Sequence, residues 1–549
     1  MPERRSSLVL ALAGLVALRL WLVTAQRLSA MCSTPYDDEL FVRLARSLAS
    51  GQWLGVYDRL TLTKGPFYPM WIAASYAAGV PLLMGEHLLY AVACAVLVWG
   101  IAPALPGRKV QGALFAVLLF SPASYAARVM SRVDREGIYP ALTLLVLGTA
   151  AGALLRLQRA RRVRVPWALA SGLSLAAFWL CREERVWIAP GLACLVGGLV
   201  WAWRPIEWRR LASASAISLA VFVVLVACVR ARNLARYGVF VVTEFTEGPF
   251  QEGYAALARV RHAAFRPRVS LPAETRARIY AASPAFAELR PFLEGGTGQR
   301  WVRVSCRRAP AGCEEIGAHL TTWALRDAAA VAGHGKAPAA AAYWHEVARE
   351  VNAACDGGVL ACAASSTGYL PQLRREYLPR LATSLGRAVV ATTTFEGVSP
   401  RPHPSRGGAM LDQFRTLTRT PLEPPAVGSD DANPGPTRSD ALKLRVLESL
   451  VAGYRRLTAL LAALALLGFA VGVGRAVRRA GPTALLVITG TLLVGALTRL
   501  VLIALIDATT FDAVTPDYLA PAYPLMLAGI VLAFPAAVQA TEGPLPGRL

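Results

Sequence analysis

Residues 34–69 read TPYDDELFVRLARSLASGQWLGVYDRLTLTKGPFYP, and the rest of the chain is best understood outward from them. After Asp38, the apolar side chains Leu40, Phe41, Leu44 and Leu48 fall on one helical face, with Arg43, Arg46 and Ser47 elsewhere. That spacing predicts a short amphipathic helix lying in a membrane interface, closed by Gly51. Asp37 and Asp38 stand at its N-terminus. Two readings fit them: Asp is a preferred N-cap that suits the positive end of a helix, and a carboxylate at a membrane surface is also placed for chemistry. A cap needs one acid, whereas Asp37-Asp38-Glu39 supplies three in a row.

The surrounding sequence is that of a membrane protein. Of 549 residues, 55% are hydrophobic, mean hydropathy is +0.43, and the excess is gathered into runs. Runs at 8–25, 86–105, 112–130, 138–156, 167–181, 187–203, 211–229, 457–474, 483–505 and 518–538 are each near the ~20 residues that a crossing helix needs. The net charge of +23 would suit a nucleic-acid binder. The basic residues, however, cluster beside the apolar runs, where they set topology and hold anionic lipid, which argues against nucleic acid. Arg4-Arg5, Arg108-Lys109, Arg156 to Arg164, Arg204 to Arg210 and Arg475 to Arg479 can all face the cytoplasm if those ten runs alternate. The remaining run, 66–84, carries Pro66, Pro69, Gly79 and Pro81; counting it as a crossing would invert every later loop. It is therefore expected to be interfacial or re-entrant, with residues near Lys64 and near Glu86 both reachable from outside. The first run contains Arg19 and lacks a small-x-small cleavage site, so it reads as a span.

The expected architecture is an α-helical polytopic membrane protein of the plasma (inner) membrane with both termini cytoplasmic. It has a seven-span module at 1–230, a mainly helical extracytoplasmic region at 231–452 and three C-terminal spans within 453–549. Within the middle region, 315–331 and 339–355 have helical spacing, and 395–440, rich in Pro, Gly and Ser, reads as a linker or long loop. Cys306 with Cys313, and Cys355 with Cys362, are close pairs in an oxidising location, which favours disulfides.

The stretch from Asp37 through Phe41, Ala45-Arg46 and Gly51 resembles the first extracytoplasmic loop of the GT-C glycosyltransferases, a superfamily that includes protein O-mannosyltransferases and the aminoarabinose transferase of lipid A. Lys64-Gly65-Pro66-Phe67-Tyr68-Pro69 is similar to their Lys-Pro-Pro segment, with Gly65 in place of the first Pro. Asp517-Tyr518-Leu519-Ala520-Pro521 resembles the start of a late helix in these enzymes, with Asp517 where an Arg is usual. The resemblance covers 1–230 and, more weakly, 500–530. It implies a donor sugar on a polyprenyl phosphate and an extracytoplasmic glycan, lipid or protein acceptor. It assigns Asp37 as the acceptor-activating base, Asp38 as its substitute, and Asp134 as a second acid that binds the acceptor or orients a basic group. The residues leave Asp134 equally open to a local ion pair with Arg132 or Arg135.

The chemistry fits those residue types. A polyprenyl-phosphate sugar carries a good leaving group, so the protein must supply a base for the acceptor and cations for the departing phosphate. Lys64, Arg132, Arg135, Arg182 and Arg185 are the expected phosphate binders, although each alone also reads as a snorkelling rim charge. The short outer loops SRVDREG and CREER are rarely so basic, and something negative on that side is expected to compensate them. Arg499, within an apolar run, reads either as functional or as a charge snorkelling at a helix end. His262, His319, His334 and His345 have no metal-ligand spacing, so neither a metal site nor a cofactor is expected, though paired acids leave room for a divalent cation. Two other classes remain: another envelope glycan enzyme, a ligase or polymerase, and a transporter or scaffold. Transporters place polar groups at mid-bilayer in repeated halves, whereas here they crowd one rim.

Overall fold

The computed structural model describes residues 3–32, 35–203, 207–308, 314–364, 368, 374–408, 410–425, 437–478 and 481–542. The opening stretch folds as its periodicity dictates. Asp38–Ala49 is a helix that buries Leu40, Phe41, Leu44 and Ala45. Gly51 closes it at φ +77°, a left-handed conformation that a Cβ would strain. Phe67–Ala77 forms a separate helix of 11 residues. At 1.5 Å per residue it reaches about 16 Å, half of a roughly 30 Å hydrocarbon core. The chain then turns at Val80-Pro81 and starts a long apolar helix. Glu86, expected to be reachable from outside, is instead fully buried and accepts a hydrogen bond from Tyr68 Oη at 2.9 Å. The exposed residues of that turn are Ala78, Gly79 and Pro81.

Eight helices among the described residues are long and apolar enough to cross a membrane: Leu82–Ala104, Arg135–Leu154, Arg161–Cys181, Arg185–Ala202, Trp208–Tyr237, Arg438–Arg478, Ala484–Thr509 and Ala522–Gln539. Leu10–Val23 is a shorter apolar helix. Its Arg19 is tied into the fold, donating to Ser124 Oγ and Ser124 O at 2.8 Å each and meeting His87 Nδ1 at 3.0 Å. The expected span at 112–130 is not continuous. The helix Arg108–Leu119 stops, a single turn runs from Pro122 to Tyr125, and Ala127–Met130 follows. Pro122 explains the break, since it lacks an N–H and drives the preceding Ser121 to an extended ψ of 127°.

The polar region between Trp208–Tyr237 and Arg438–Arg478 has its own core, in which Phe250, Leu257, Phe286, Trp301, Trp344 and Val347 are buried together. Its helices include Ala318–Val331 and Ala337–Asp356. A disulfide joins Cys355 to Cys362 with Cα atoms 5.5 Å apart; the expected Cys306–Cys313 pair involves residue 313, outside the described residues. Only isolated bridges, and no strands, occur among the described residues.

Two segments differ from a simple tether. Residues 395–425, apart from 409, run back along the N-terminal segment. Gln26 Nε2 donates to Pro400 O at 2.8 Å, Arg406 N to Ala30 O at 2.7 Å, and Leu28 N to Pro421 O at 3.0 Å. These bonds satisfy backbone groups that neither stretch could pair alone. The helix Arg438–Arg478 has 41 residues, about 60 Å at the helical rise and twice the hydrocarbon thickness. It therefore begins well before the apolar run at 457–474.

Candidate active site

Asp37 occupies the N-cap position of Asp38–Ala49, yet its side chain makes no capping hydrogen bond. It accepts instead from Lys64 Nζ at 2.8 Å. Burial works to raise this carboxyl, but the Lys64 ammonium, with Arg132 and Arg135 behind it, outweighs burial and holds it well below the usual carboxylate range. The Asp37 side chain is 41% exposed, whereas that of Asp38 is fully buried. Arg132 grips Asp38 with two donors, Nε at 3.3 Å from Oδ1 and Nη2 on Oδ2. Burial pushes the Asp38 carboxyl up to about 6 against the pull of that guanidinium. The adjacent acids thus have different jobs. Asp37 faces open space, and Asp38, expected as its substitute, anchors Arg132.

Two further turns close under this pair. Arg135 Nη1 meets Glu183 Oε2 at 2.5 Å, and Glu183 Oε1 accepts from the backbone N–H of Gly65 at 3.1 Å. This accounts for Gly65: a proline would remove the donor, and a Cβ would sit 2.2 Å from Leu180 O. Arg182 is buried between Glu136, on Nη1, and Glu184, at 2.8 Å from Nε. Its guanidinium lies 5.5 Å from the Tyr139 ring centroid and 5.3 Å from that of Tyr518.

Asp134 caps a short turn by accepting from Arg135 N at 2.8 Å, and it lies 3.9 Å from Arg132. Burial and the neighbouring Glu136 push Asp134 well above the usual carboxylate range. Asp517 pairs with Arg128 at 3.6 Å.

Two further arginines are placed as follows. Arg499 does not snorkel: it is fully buried, and its Nε and Nη2 donate to Tyr518 O at 3.0 and 2.8 Å. Arg185, expected to bind phosphate, is outside the cavity described below; it lies 4.3 Å from the Trp179 ring centroid and reaches Thr246 Oγ1 at 3.5 Å.

Above these pairs is a cavity of about 880 Å³. Its floor has Asp37, Lys64, Arg135, Arg182, Glu184 and Tyr518. One side is the apolar C-terminal end of Ala484–Thr509, with Leu502, Leu505 and Ile506. A further wall comes from the polar region: Trp301 and Trp323 with Arg266, Arg300, Arg374 and Arg406. The helix Ala318–Val331 is fixed over the floor by Arg326, whose Nε donates to Arg59 O at 2.7 Å and Nη2 to Thr61 O at 3.1 Å. Trp323, three residues earlier, shares that helix face and stands 5.6 Å from Lys64 Nζ.

The structure thus brings Asp37, Asp38, Asp134, Lys64, Arg132, Arg135 and Arg182 into one connected network. The compensating acids Glu136, Glu183 and Glu184 were not singled out in the sequence, although they stand beside the arginines in DREG and CREER. Nor were the wall arginines and tryptophans: they are spread from residue 266 to 406 with no spacing to mark them.

No family model matches the chain, and no curated protein does. Among solved structures, ArnT from Cupriavidus metallidurans in the apo state is 15% identical and covers 97% of this chain and 78% of its own, with a TM-score of 0.32. The same protein bound to undecaprenyl phosphate is 13% identical and covers 96% and 77%, also at 0.32. A TM-score of 0.32 marks a likeness too loose to assign a role to any residue.

Proposed function

We propose that this chain is a multi-pass membrane glycosyltransferase that moves a sugar from a polyprenyl-phosphate carrier to an extracytoplasmic glycan, lipid or protein acceptor. The observation that carries the proposal is the cavity itself. It joins an acid–lysine pair and two buried arginines to an apolar flank at the end of a membrane-length helix. Such a site suits a ligand with an anionic head and a long hydrocarbon tail. The basic segments beside the spans support an outward-facing cavity, with both termini cytoplasmic.

In this reading the carrier phosphate settles against Lys64, with Arg135 and Arg182 beneath it. Lys64 can turn toward the phosphate because its stem is flexible and its charge compact. Asp37 then loses its nearest counter-charge and becomes a stronger base as the donor arrives. It accepts the proton of the acceptor hydroxyl or amine. The acceptor atom bonds to the anomeric carbon, and the glycosidic C–O bond breaks toward the phosphate, which leaves with the electron pair. Arg132 acts at one remove by holding Asp38, and Asp134 by shaping the turn that carries Arg135. Cations already on the floor supply the charge that a metal ion would otherwise bring.

The test is transfer from polyprenyl-phosphate sugars by the purified chain in liposomes. Asp37→Asn removes basicity without removing any cap, since Asp37 makes none, and should lower turnover by about 10²–10⁴-fold. Lys64→Ala should mainly raise the donor KM. Near-normal turnover in both Asp37→Asn and Asp38→Asn would sink the mechanism.

A further inference from the structure

The wall facing the Asp37–Lys64 pair is aromatic to an extent that packing alone does not explain. Tyr36, the residue before Asp37, lies 4.8 Å from the Trp323 ring centroid and 5.5 Å from that of Trp301. All three line the cavity. Trp301 is only 2% exposed, and its indole Nε1–H has no hydrogen-bond partner. A buried donor left unpaired is costly, and Trp301 is also one of the residues that line the cavity. Lys64 Nζ is 2.8 Å from Asp37 Oδ1 and 5.6 Å from the Trp323 centroid, so the phosphate-holding cation and the aromatic face border the same small volume.

We infer that Tyr36, Trp301 and Trp323 form a subsite for a hexopyranose ring. A pyranose has a nonpolar C–H face that packs on an aromatic ring and a rim of hydroxyls that accept from an indole N–H. With the carrier phosphate on Lys64, the sugar attached to it lies against Trp323. This places recognition of the transferred ring on the polar region, whose helix Ala318–Val331 is held in register by Arg326. The inference rests on the glycosyltransferase reading for the origin of the ring, but not for the aromatic surface.

The experiment measures binding to the full chain in nanodiscs, with undecaprenyl phosphate and with undecaprenyl phosphate bearing glucose, mannose or galactose. Methyl glucoside, mannoside and galactoside are read in parallel by saturation-transfer NMR. Wild type should prefer at least one hexosylated carrier to the bare one. Trp323→Leu should cut that preference about tenfold while leaving affinity for the bare carrier unchanged. Trp301→Phe, which keeps a ring and removes only the N–H, should cut it less and guards against misfolding of the first variant. Equal weakening for bare and hexosylated carriers makes Trp323 a packing residue and overturns the subsite, with carrier binding intact. If wild type shows no preference among carriers but its NMR contacts with a methyl hexoside vanish in Trp323→Leu, the ring held is the acceptor's and the subsite stands. If no carrier binds, the glycosyltransferase reading falls separately, and the NMR arm alone decides the subsite. Absence of both a preference and NMR contacts overturns it.

Discussion

The floor and the wall of the cavity are both rich in arginine, but only the wall leaves part of it without a carboxylate partner among the described residues. On the floor, Arg132, Arg135 and Arg182 are each held by a carboxylate, namely Asp38, Glu183 and Glu136 with Glu184. On the wall, Arg266 pairs with Glu315 and Arg300 shares Asp327 with Arg59, whereas Arg374 and Arg406 have no carboxylate partner among the described residues. Paired charges in a buried network are fixed in position, because moving one strands another. Unpaired charges on a wall remain available to a ligand.

The sharpest way to break this contrast is Arg182→Leu. It leaves Glu136 and Glu184 buried without their cation and should cost about 3–5 kcal/mol of stability, read as a lower unfolding midpoint in detergent. Intact stability would mean that the floor is not a fixed network. Gly65→Ala comes next. Its Cβ would meet Leu180 O, a backbone atom that cannot easily yield, at a cost of about 1–3 kcal/mol. The same readout should detect it, with turnover falling because Lys64 moves as well.

A pH profile sharpens the difference between the two adjacent acids. Asp38, lifted to about 6, takes up a proton as pH falls through that value and releases its grip on Arg132. Turnover should therefore drop on the acid side near pH 6. Asp37 stays ionised in the same window, because Lys64 holds it far lower, and contributes no limb there. A profile flat from pH 8 to 5 would contradict this assignment. The smallest effect belongs to the wall. Arg406→Ala should leave stability untouched and raise an apparent KM by about two- to fivefold, the scale of one exposed charge, with less effect at high salt.

The local features were legible in the sequence. Leu40, Phe41, Leu44 and Gly51 announced the helix Asp38–Ala49 because amphipathic period and helix closure are properties of neighbours. Asp37 and Lys64 were found, but not their contact, since 27 residues separate them. Arg135 and Glu183 meet over 48 residues, and Arg326 reaches Thr61 over 265. Such pairings depend on how helices pack, which no window of sequence reports. The run at 112–130 misled for a different reason: its first half is strongly apolar, and the break is marked by Pro122 with Ser121 and Ser124 beside it. Residues 395–425 looked like a tether because composition records that a segment lacks helix formers. It does not record that the partner for its backbone groups lies at residues 26–32.

That last pairing has a consequence for biosynthesis. The peptide leading into Asp37 is secured by hydrogen bonds to a segment made far later, 374 residues on in the case of the Gln26 side chain and Pro400 O. At roughly 5–20 residues per second, the ribosome needs about 20–75 seconds to cover that distance. Throughout that interval the first loop is already translated but lacks the chain that pins it. That part of the fold can therefore close only after the late segment has been made and has folded back to meet the beginning of the chain.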